Sequence, residues 1–324
     1  MSAVKAAQIT ARGRIELIDL PDHQSPATGH VVVKAETGCL CGSDIPFFSE
    51  AQPSYPLPPG LSLHEIIGRV TASASASFKE GDRVLAMPLG LVGCAEQLLI
   101  GDDRLVAIDP ALNNETAVIA QPMATVLSAL STIPNVIGLN VAVLGQGPIG
   151  LLFNTCLASA GAARVIGIDV REARVARSCE FGATDAFVTR EKNGSDAGRD
   201  AVERVAELTG GVMADVVVEA VGHEQQQLNL ACALARKKGR LLYFGIPPDQ
   251  PIPFALEPVV RKSLTIHTSV PDDLRPFVMI AQRAIRRGRL DPAKLITHRF
   301  PFAEVQQAFE TYRDRAGLKV ILEF

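Results

Sequence analysis

The glycine-rich segment Gly145–Gly150 constrains the fold of this 324-residue chain more than any other feature. It follows the apolar run Val141–Leu144 and precedes a stretch with helical character. In this setting Gly145 permits a tight turn, Gly147 lets the backbone approach a pyrophosphate, and Gly150 allows close packing of a helix on a strand. The segment therefore predicts a dinucleotide-binding unit.

Residues around this turn complete the predicted nucleotide site. Pro148 and Ile149 begin the helix, whose free N–H groups hold phosphates. Asp169 ends the next strand, about 20 residues further on, where a carboxylate accepts hydrogen bonds from the adenosine ribose and repels a 2′-phosphate, so NAD is favoured over NADP. Arg171 and Arg174 leave NADP open, because a nearby arginine accommodates that phosphate. We include Arg174 among the predicted cofactor contacts.

Apolar strands alternate with helical stretches after about residue 140, which predicts an α/β fold with a doubly wound parallel Rossmann sheet. The first hundred residues instead contain short β-type pieces punctuated by Pro and Gly. After about residue 269 the pattern is mixed again, with a helix and a final strand that we expect to fold back onto the first domain. The six predicted strands are Val141–Leu144, Arg164–Ile168, Ala186–Val188, Asp215–Val218, Leu241–Phe244 and Leu264–Ile266.

Composition excludes several classes of function. The net charge of −3, without a dense basic run, gives no electrostatic reason to bind nucleic acid or an anionic membrane. The N-terminus lacks the apolar core of a signal peptide, and no apolar stretch is long enough to span a membrane, so we expect a cytoplasmic protein. Six scattered cysteines predict reduced thiols rather than a disulfide framework.

Two short segments carry potential metal ligands. Cys41–Asp44 reads Cys-Gly-Ser-Asp, and His64 is followed directly by Glu65. Together they offer a thiolate, an imidazole and a carboxylate, the mixed set that zinc accepts, and a catalytic site keeps one further position open. Taken singly, each of these residues occurs more often as ordinary packing.

The chain resembles the zinc-containing medium-chain alcohol dehydrogenase family, especially its sorbitol and polyol dehydrogenase branch. The resemblance covers nearly the whole chain. The matching segments are Cys41–Asp44, His64–Glu65 with Gly68, Gly81–Val84, Gln121–Pro122, Gly145–Gly150, Asp169, Glu219–Gly222 and Gly317–Val320.

This resemblance implies a site with one catalytic zinc. Cys41, His64 and Glu65 would be its ligands, and Gln121 stands where relatives carry a further ligand or near-ligand, usually an anion. A neutral amide there would bind zinc less strongly, with Glu65 in compensation as a direct ligand.

The resemblance also implies the chemistry. Ser43 stands where the family relays the alcohol proton, and Asp44 where a carboxylate supports the metal site. Zinc would polarise a secondary alcohol, polyol or sugar alcohol, whose hydride passes to NAD.

Departures from the family pattern sharpen these expectations. Relatives carry a four-cysteine lobe with a structural zinc after the Gly-Asp-Arg-Val turn, but here only Cys94 is available, so we predict no structural zinc. Leu63 stands where a glycine usually precedes the His-Glu pair. We interpret Cys39 as packing, and we expect Cys156, Cys179 and Cys232 to be buried in helices.

The predicted organisation is a GroES-like, mainly β catalytic domain of residues 1–122 and 269–324, with a Rossmann NAD-binding domain of residues 123–268 inserted and the active site in the cleft between them. The resemblance implies a homodimer or homotetramer, joined through edge strands near Leu264 to His267.

Two alternative functions remain. One is a zinc-free, NADPH-dependent quinone or enone reductase of the same superfamily, and the other is a non-catalytic NAD-binding sensor.

Overall fold

Short strands separated by turns occupy the first part of the chain, as the Pro- and Gly-punctuated sequence predicts. The computed structural model describes residues 3–23, 25–189, 198–222, 227–247 and 251–324. β1 and β2 form an antiparallel two-stranded sheet, and the other strands join a larger one. The first elements are β1 Ala3–Ala11, β2 Arg14–Pro21, β3 His30–Cys39, α1 Ile45–Ser49, β4 Ile66–Ser73, β5 Arg83–Ala86, β6 Gln97–Gly101, β7 Leu105–Ala107, α2 Asn114–Val118 and α3 Ala120–Ser131.

Strands and helices then alternate, and the resulting sheet is parallel throughout. The elements are β8 Asn140–Leu144, α4 Pro148–Ser159, β9 Arg164–Asp169, α5 Glu172–Ser178, β10 Asp185–Val188, α6 Arg199–Leu208, β11 Ala214–Glu219, α7 Gln227–Leu234, β12 Ala235–Tyr243, α8 Leu256–Lys262 and β13 Thr265–Thr268. Their order is β10-β9-β8-β11-β12-β13. This is the doubly wound order, with its switch point between β8 and β11. The predicted Rossmann sheet is confirmed.

The last fifty residues contribute two strands to the first sheet and form two α-helices. They are α9 Arg275–Arg286, β14 Ile296–Pro301, α10 Val305–Arg313 and β15 Lys319–Glu323. The larger sheet runs β14-β15-β3-β4-β5-β7, with β6 also pairing with β3. The antiparallel pairing of β15 with β3 brings Ile321 opposite Cys39 and so places Lys319 near the end of β3. β14 and β15 thus belong to the same sheet as the strands of the first part of the chain.

The chain separates into two compact units, residues 1–124 with 275–324 and residues 125–274. Each has a buried apolar core. Ile66, Phe48 and Phe309 belong to the core of the first unit, and Ala142, Ile166 and Val217 to a core of the second. Among the described residues, no helix combines the length and apolarity needed to cross a membrane.

One prediction about cysteines is wrong. Cys156 and Cys232 are buried in α4 and α7, but Cys179 is exposed. It lies in a single 3-10 turn that follows α5 and ends at Gly182, whose φ is 93°. The thiol of Cys179 falls on the solvent side of that turn, whereas Phe181 is buried.

Candidate metal and nucleotide sites

The Cys41 turn is held by the carboxylate of Asp44. Cys41 has an extended backbone and precedes the 3-10 turn Gly42–Asp44. Its N–H donates to Asp44 Oδ2 at 2.7 Å, and the Asp44 N–H donates to the Cys41 carbonyl at 3.1 Å. Asp44 is fully buried. A buried carboxylate that accepts backbone N–H groups fixes the backbone that presents the Cys41 thiol.

The same carboxylate holds the loop that carries His64. The Leu63 N–H donates to Asp44 Oδ1 at 2.9 Å. Ser62 and Leu63 both have left-handed backbones, with φ of 101° and 67°. Side chains other than glycine rarely adopt such values, and each costs about 1–3 kcal/mol. The buried Leu63 thus takes the backbone conformation that a glycine favours, and the hydrogen bond to Asp44 stabilises it there.

The structure brings the three predicted ligands together. One ligand atom each from Cys41, His64 and Glu65 lies within 4.8 Å of the others. Ligand atoms about 2.0–2.3 Å from one tetrahedral zinc lie roughly 3.6 Å apart, so a small contraction closes this group around an ion. The His64 Nδ1 and Ser43 Oγ atoms are buried without a hydrogen-bond partner in the described part of the chain. The sulfur, nitrogen and oxygen donors fit zinc.

The side chains around His64 raise its pKa from 6.5 to about 9. Burial by itself lowers this pKa, whereas a hydrogen bond with Cys41 and the negative charges of neighbouring side chains raise it by more. The imidazolium is therefore the preferred form in this anionic surrounding. A divalent cation would replace that positive charge.

Sequence reasoning did not identify Lys319 as part of this site. Its Nζ donates to the two Glu65 carboxylate oxygens at 2.8 and 2.7 Å and to the Leu40 carbonyl at 3.0 Å. Both charged side chains are buried, with Lys319 1% exposed. Burial lowers the pKa of Lys319, but the charges of Cys39 and Glu65 raise it by a larger amount. The net shift of this pKa is therefore upward. The signals in the sequence were the match of Gly317–Val320 to the family and a lysine beginning the apolar run of β15, but neither points to Glu65.

The Glu65 carboxylate therefore has two possible partners. One is the ammonium group of Lys319, and the other is the proposed metal ion. A carboxylate has about four lone-pair sites, so an ion pair with Lys319 leaves sites for a metal. Gln121 lies in the first turn of α3 and is 6% exposed. Its role as a further ligand stays a prediction.

The connection after β5 is short. Cys94 is buried, its N–H donates to the Gly60 carbonyl at 3.0 Å, and its carbonyl accepts from the Ala7 N–H at 2.8 Å. Gly93 donates to the Ser62 carbonyl at 2.9 Å. This connection packs directly beside the loop that carries His64. The number of zinc ions per chain stays a prediction.

The glycine-rich turn has the predicted geometry. Gly145 has a φ of 89°, and Gly147 is the N-cap of α4, which begins at Pro148. A Cβ on Gly150 would lie 1.8 Å from the Gly145 carbonyl oxygen. Only a glycine therefore lets α4 start this close to the turn, with Ile149 in its first turn.

Asp169 is placed at the end of β9, beside this turn. Its Oδ2 accepts from the Gln146 N–H at 2.7 Å and its Oδ1 from the Arg171 N–H at 2.9 Å. Arg174 Nη1 lies 3.9 Å from Oδ2 and 3.4 Å from the position of a Cβ on Gly147. The structure thus brings Asp169 and Arg174 to the glycine turn.

Gln146 is a second residue that sequence reasoning missed. Its buried side chain donates to the Val143 and Gly145 carbonyls at 3.0 and 3.1 Å and accepts from Asn154 Nδ2 at 2.7 Å. The variable position of the glycine motif therefore connects the turn to β8 and α4. A buried amide such as that of Gln146, with partners at both its nitrogen and its oxygen, rigidifies a turn.

A metal-ligand cluster in one unit and a dinucleotide-type turn in the other define a metal- and nucleotide-dependent oxidoreductase. Comparisons with known families agree. Residues 27–119 match the family model described as the alcohol dehydrogenase GroES-like domain, and residues 148–274 match the zinc-binding dehydrogenase model. The chain belongs to the zinc-type medium-chain alcohol dehydrogenase family. It is accordingly an oxidoreductase that uses zinc, a nicotinamide cofactor and a small-molecule alcohol substrate.

Curated relatives and solved structures cover nearly the whole chain. An L-threonine 3-dehydrogenase from Bacillus licheniformis is 28% identical, covering 90% of each protein. A D-altritol 5-dehydrogenase from Agrobacterium fabrum is 29% identical, covering 97% of this chain and 98% of its own. The alcohol dehydrogenase from Thermus sp. ATN1 matches with a TM-score of 0.87 at 24% identity and 99% coverage of both chains. A zinc-binding dehydrogenase from Sinorhizobium meliloti, bound to NADP, gives 0.86 at 21% identity and full coverage of both. These structural matches show the fold.

Proposed function

We propose that this enzyme oxidises a secondary alcohol or polyol with NAD as hydride acceptor, at one catalytic zinc held by Cys41, His64 and Glu65. The observation that carries the proposal is the cluster of these three donors, organised by the buried Asp44 carboxylate. The polyol class is supported by the name of the D-altritol 5-dehydrogenase relative.

The chain's own residues account for the remaining parts of the reaction. Bound zinc supplies a Lewis acid that lowers the pKa of an alcohol hydroxyl, and bound nicotinamide supplies the hydride acceptor. Ser43 is the proposed relay: its buried Oγ, which has no partner among the described residues, would accept the hydroxyl proton as it releases its own proton to water. Asp44 orients the Cys41 and His64 segments, and Lys319 holds the Glu65 carboxylate in place. Gln121 contributes a neutral oxygen near the metal.

NAD is the proposed cofactor rather than NADP. Asp169 is the supporting residue, because its negative charge at the glycine turn disfavours a 2′-phosphate. Gly145, Gly147 and Gly150 allow the pyrophosphate to approach the backbone, and Arg174 lies beside the Gly147 position as a phosphate partner.

The proposed homodimer or homotetramer has a candidate surface in the second unit. β13 is the edge strand of the parallel sheet, and its residues are largely exposed. Ile266, Val260 and Val270 are exposed apolar side chains on or near this edge. An unpaired apolar edge favours pairing with another chain.

The first experiment measures metal content by mass spectrometry and NAD⁺ reduction with a panel of polyols, for the wild type, Cys41→Ser and Cys179→Ser. We expect about one zinc per chain, with zinc and turnover both lost in Cys41→Ser and both retained in the exposed-cysteine control. A folded wild-type protein that takes up no zinc from zinc-containing buffer would exclude the proposal and favour the zinc-free reductase. Zinc without turnover on any alcohol or ketone would favour the sensor.

A further inference from the structure

The end of α9 presents a cluster of arginines that the dehydrogenase reaction does not use. Arg283, Arg286, Arg287 and Arg289 lie within seven residues, in a chain whose net charge is −3. All four are exposed. Three of them, Arg283, Arg286 and Arg287, line one depression of about 340 Å³. We call these three residues the arginine triad.

Intramolecular ion pairs neutralise little of the triad's charge. Arg286 pairs with Asp109 at 3.2 Å. Within the part of the chain that the structure describes, Arg283 and Arg287 have no carboxylate within 4.0 Å. Positions i, i+3 and i+4 lie side by side on a helix, where like charges repel. Arg283 has this spacing from both Arg286 and Arg287, and the C-terminal end of α9 favours cations. An anion bound at the triad would reduce the repulsion between these side chains.

A groove lined by both apolar and polar residues adjoins the triad. It has a volume of about 470 Å³ and shares Arg286 with the depression. Its lining includes the largely buried Leu112, Ile285 and Leu290, together with Asn113 and Asp291. Asn113 accepts from Thr116 N and Asp291 from Ala293 N. The groove therefore combines apolar side chains with polar groups, and its one carboxylate, Asp291, disfavours a second negative charge there.

We propose that the triad and this groove form a binding site for a small organic anion, separate from the reaction site. The planar guanidinium groups would hold a phosphate or carboxylate in paired hydrogen bonds. The body of the molecule would lie on Leu112, Ile285 and Leu290. Free phosphate shares only the first of these contacts.

Calorimetric titration with inorganic phosphate and with phenyl phosphate, at constant ionic strength set with sodium chloride, tests the proposal. The proteins are the full-length wild type, the double variant Arg283→Gln/Arg287→Gln, and Arg289→Gln. The last variant loses one charge of the same cluster but does not line either depression. Thermal unfolding without phosphate verifies that all three are folded.

We expect phenyl phosphate to bind the wild type more tightly than inorganic phosphate, and the double variant to bind it at least about tenfold more weakly. Arg289→Gln should bind as the wild type does. The glycine turn also attracts phosphate, so the loss in the double variant is the diagnostic result. An unchanged double variant, or an equal loss in Arg289→Gln, would overturn the site. Equal affinity for the two phosphates would overturn the assignment of the groove to an organic body.

Discussion

The Lys319 ammonium lies 2.8 and 2.7 Å from the two carboxylate oxygens of Glu65, and neither side chain is accessible to water. The two residues are 254 positions apart. Because one of them is a proposed zinc ligand, this ion pair connects the stability of the first unit with the affinity of the metal site.

Lys319→Met should destabilise the metal-free protein by about 3–5 kcal/mol, because it leaves the Glu65 carboxylate buried and unpaired. Zinc loading should recover part of that loss if Glu65 coordinates the ion. Urea unfolding of the metal-free and zinc-loaded forms measures both quantities, with Lys319→Arg as the charge-preserving control. The same loss in both forms would mean that Glu65 is not a ligand.

Asp44→Asn should weaken zinc binding about 10–100-fold, the usual effect of removing a group that orients metal ligands. The amide retains one acceptor oxygen, whereas the carboxylate uses one for Cys41 and another for Leu63. Competition with a fluorescent chelator gives the affinity. Asp314→Asn, at a solvent-exposed aspartate, serves as control. An affinity equal to that of the wild type would remove Asp44 from this role.

The raised pKa of His64 predicts a pH dependence in the metal-free protein. Folding raises this pKa from 6.5 to about 9, so the folded state binds the proton more tightly. The resulting stabilisation, at most about 3 kcal/mol, is fully present below pH 6.5 and is lost as the pH rises through about 9. Urea unfolding between pH 6 and pH 10 should show this loss in the wild type and not in His64→Gln. Parallel curves for the two proteins would contradict the assignment.

Zinc affinity should change in the opposite direction. A ligating imidazole must be neutral, so binding displaces the His64 proton at pH values below about 9. Affinity should therefore rise about tenfold per pH unit from this group alone, up to that pH. Chelator competition at pH 7 and pH 8 provides the measurement. A pH-independent affinity would argue against His64 as a ligand.

Gly150→Ala should prevent α4 from starting next to the glycine turn, since the added Cβ would lie 1.8 Å from the Gly145 carbonyl oxygen. We expect a loss of stability of about 1–3 kcal/mol and a loss of NAD binding. Urea unfolding measures the first, and fluorescence titration with NAD measures the second. Gly42→Ala is the control for stability, because a Cβ there meets nothing within 4 Å. A Gly150→Ala protein that binds NAD normally would contradict this account of the turn.

Local patterns in the sequence predicted much of this fold. The alternation of apolar runs and helices predicted the parallel sheet, and Gly145, Gly147 and Gly150 predicted the turn at the end of β8. The proximity of Cys41, His64 and Glu65 could be expected only from the family resemblance, since spacing alone does not bring separate segments together. The resemblance did not identify the pairing of Lys319 with Glu65, because it depends on the register of β15 on β3.

Details of side-chain hydrogen bonding were less predictable. Gln146 occupies a variable position of the glycine motif, and its buried hydrogen bond with Asn154 depends on how α4 packs. Cys179 was expected to be buried because its segment has helical character, but a 3-10 turn after α5 changes the direction of its side chain. Both details depend on side-chain packing, which hydrophobic periodicity does not specify.

The connection beside the His64 loop has a consequence for how this protein tolerates its surroundings. Backbone hydrogen bonds join Gly93 to Ser62 and Cys94 to Gly60, and neither chelators nor oxidants remove them. Starvation for zinc would therefore empty the reaction centre while this part of the chain keeps its shape, and resupply of the ion would restore activity without refolding. Such an enzyme would keep its folded structure through periods without zinc.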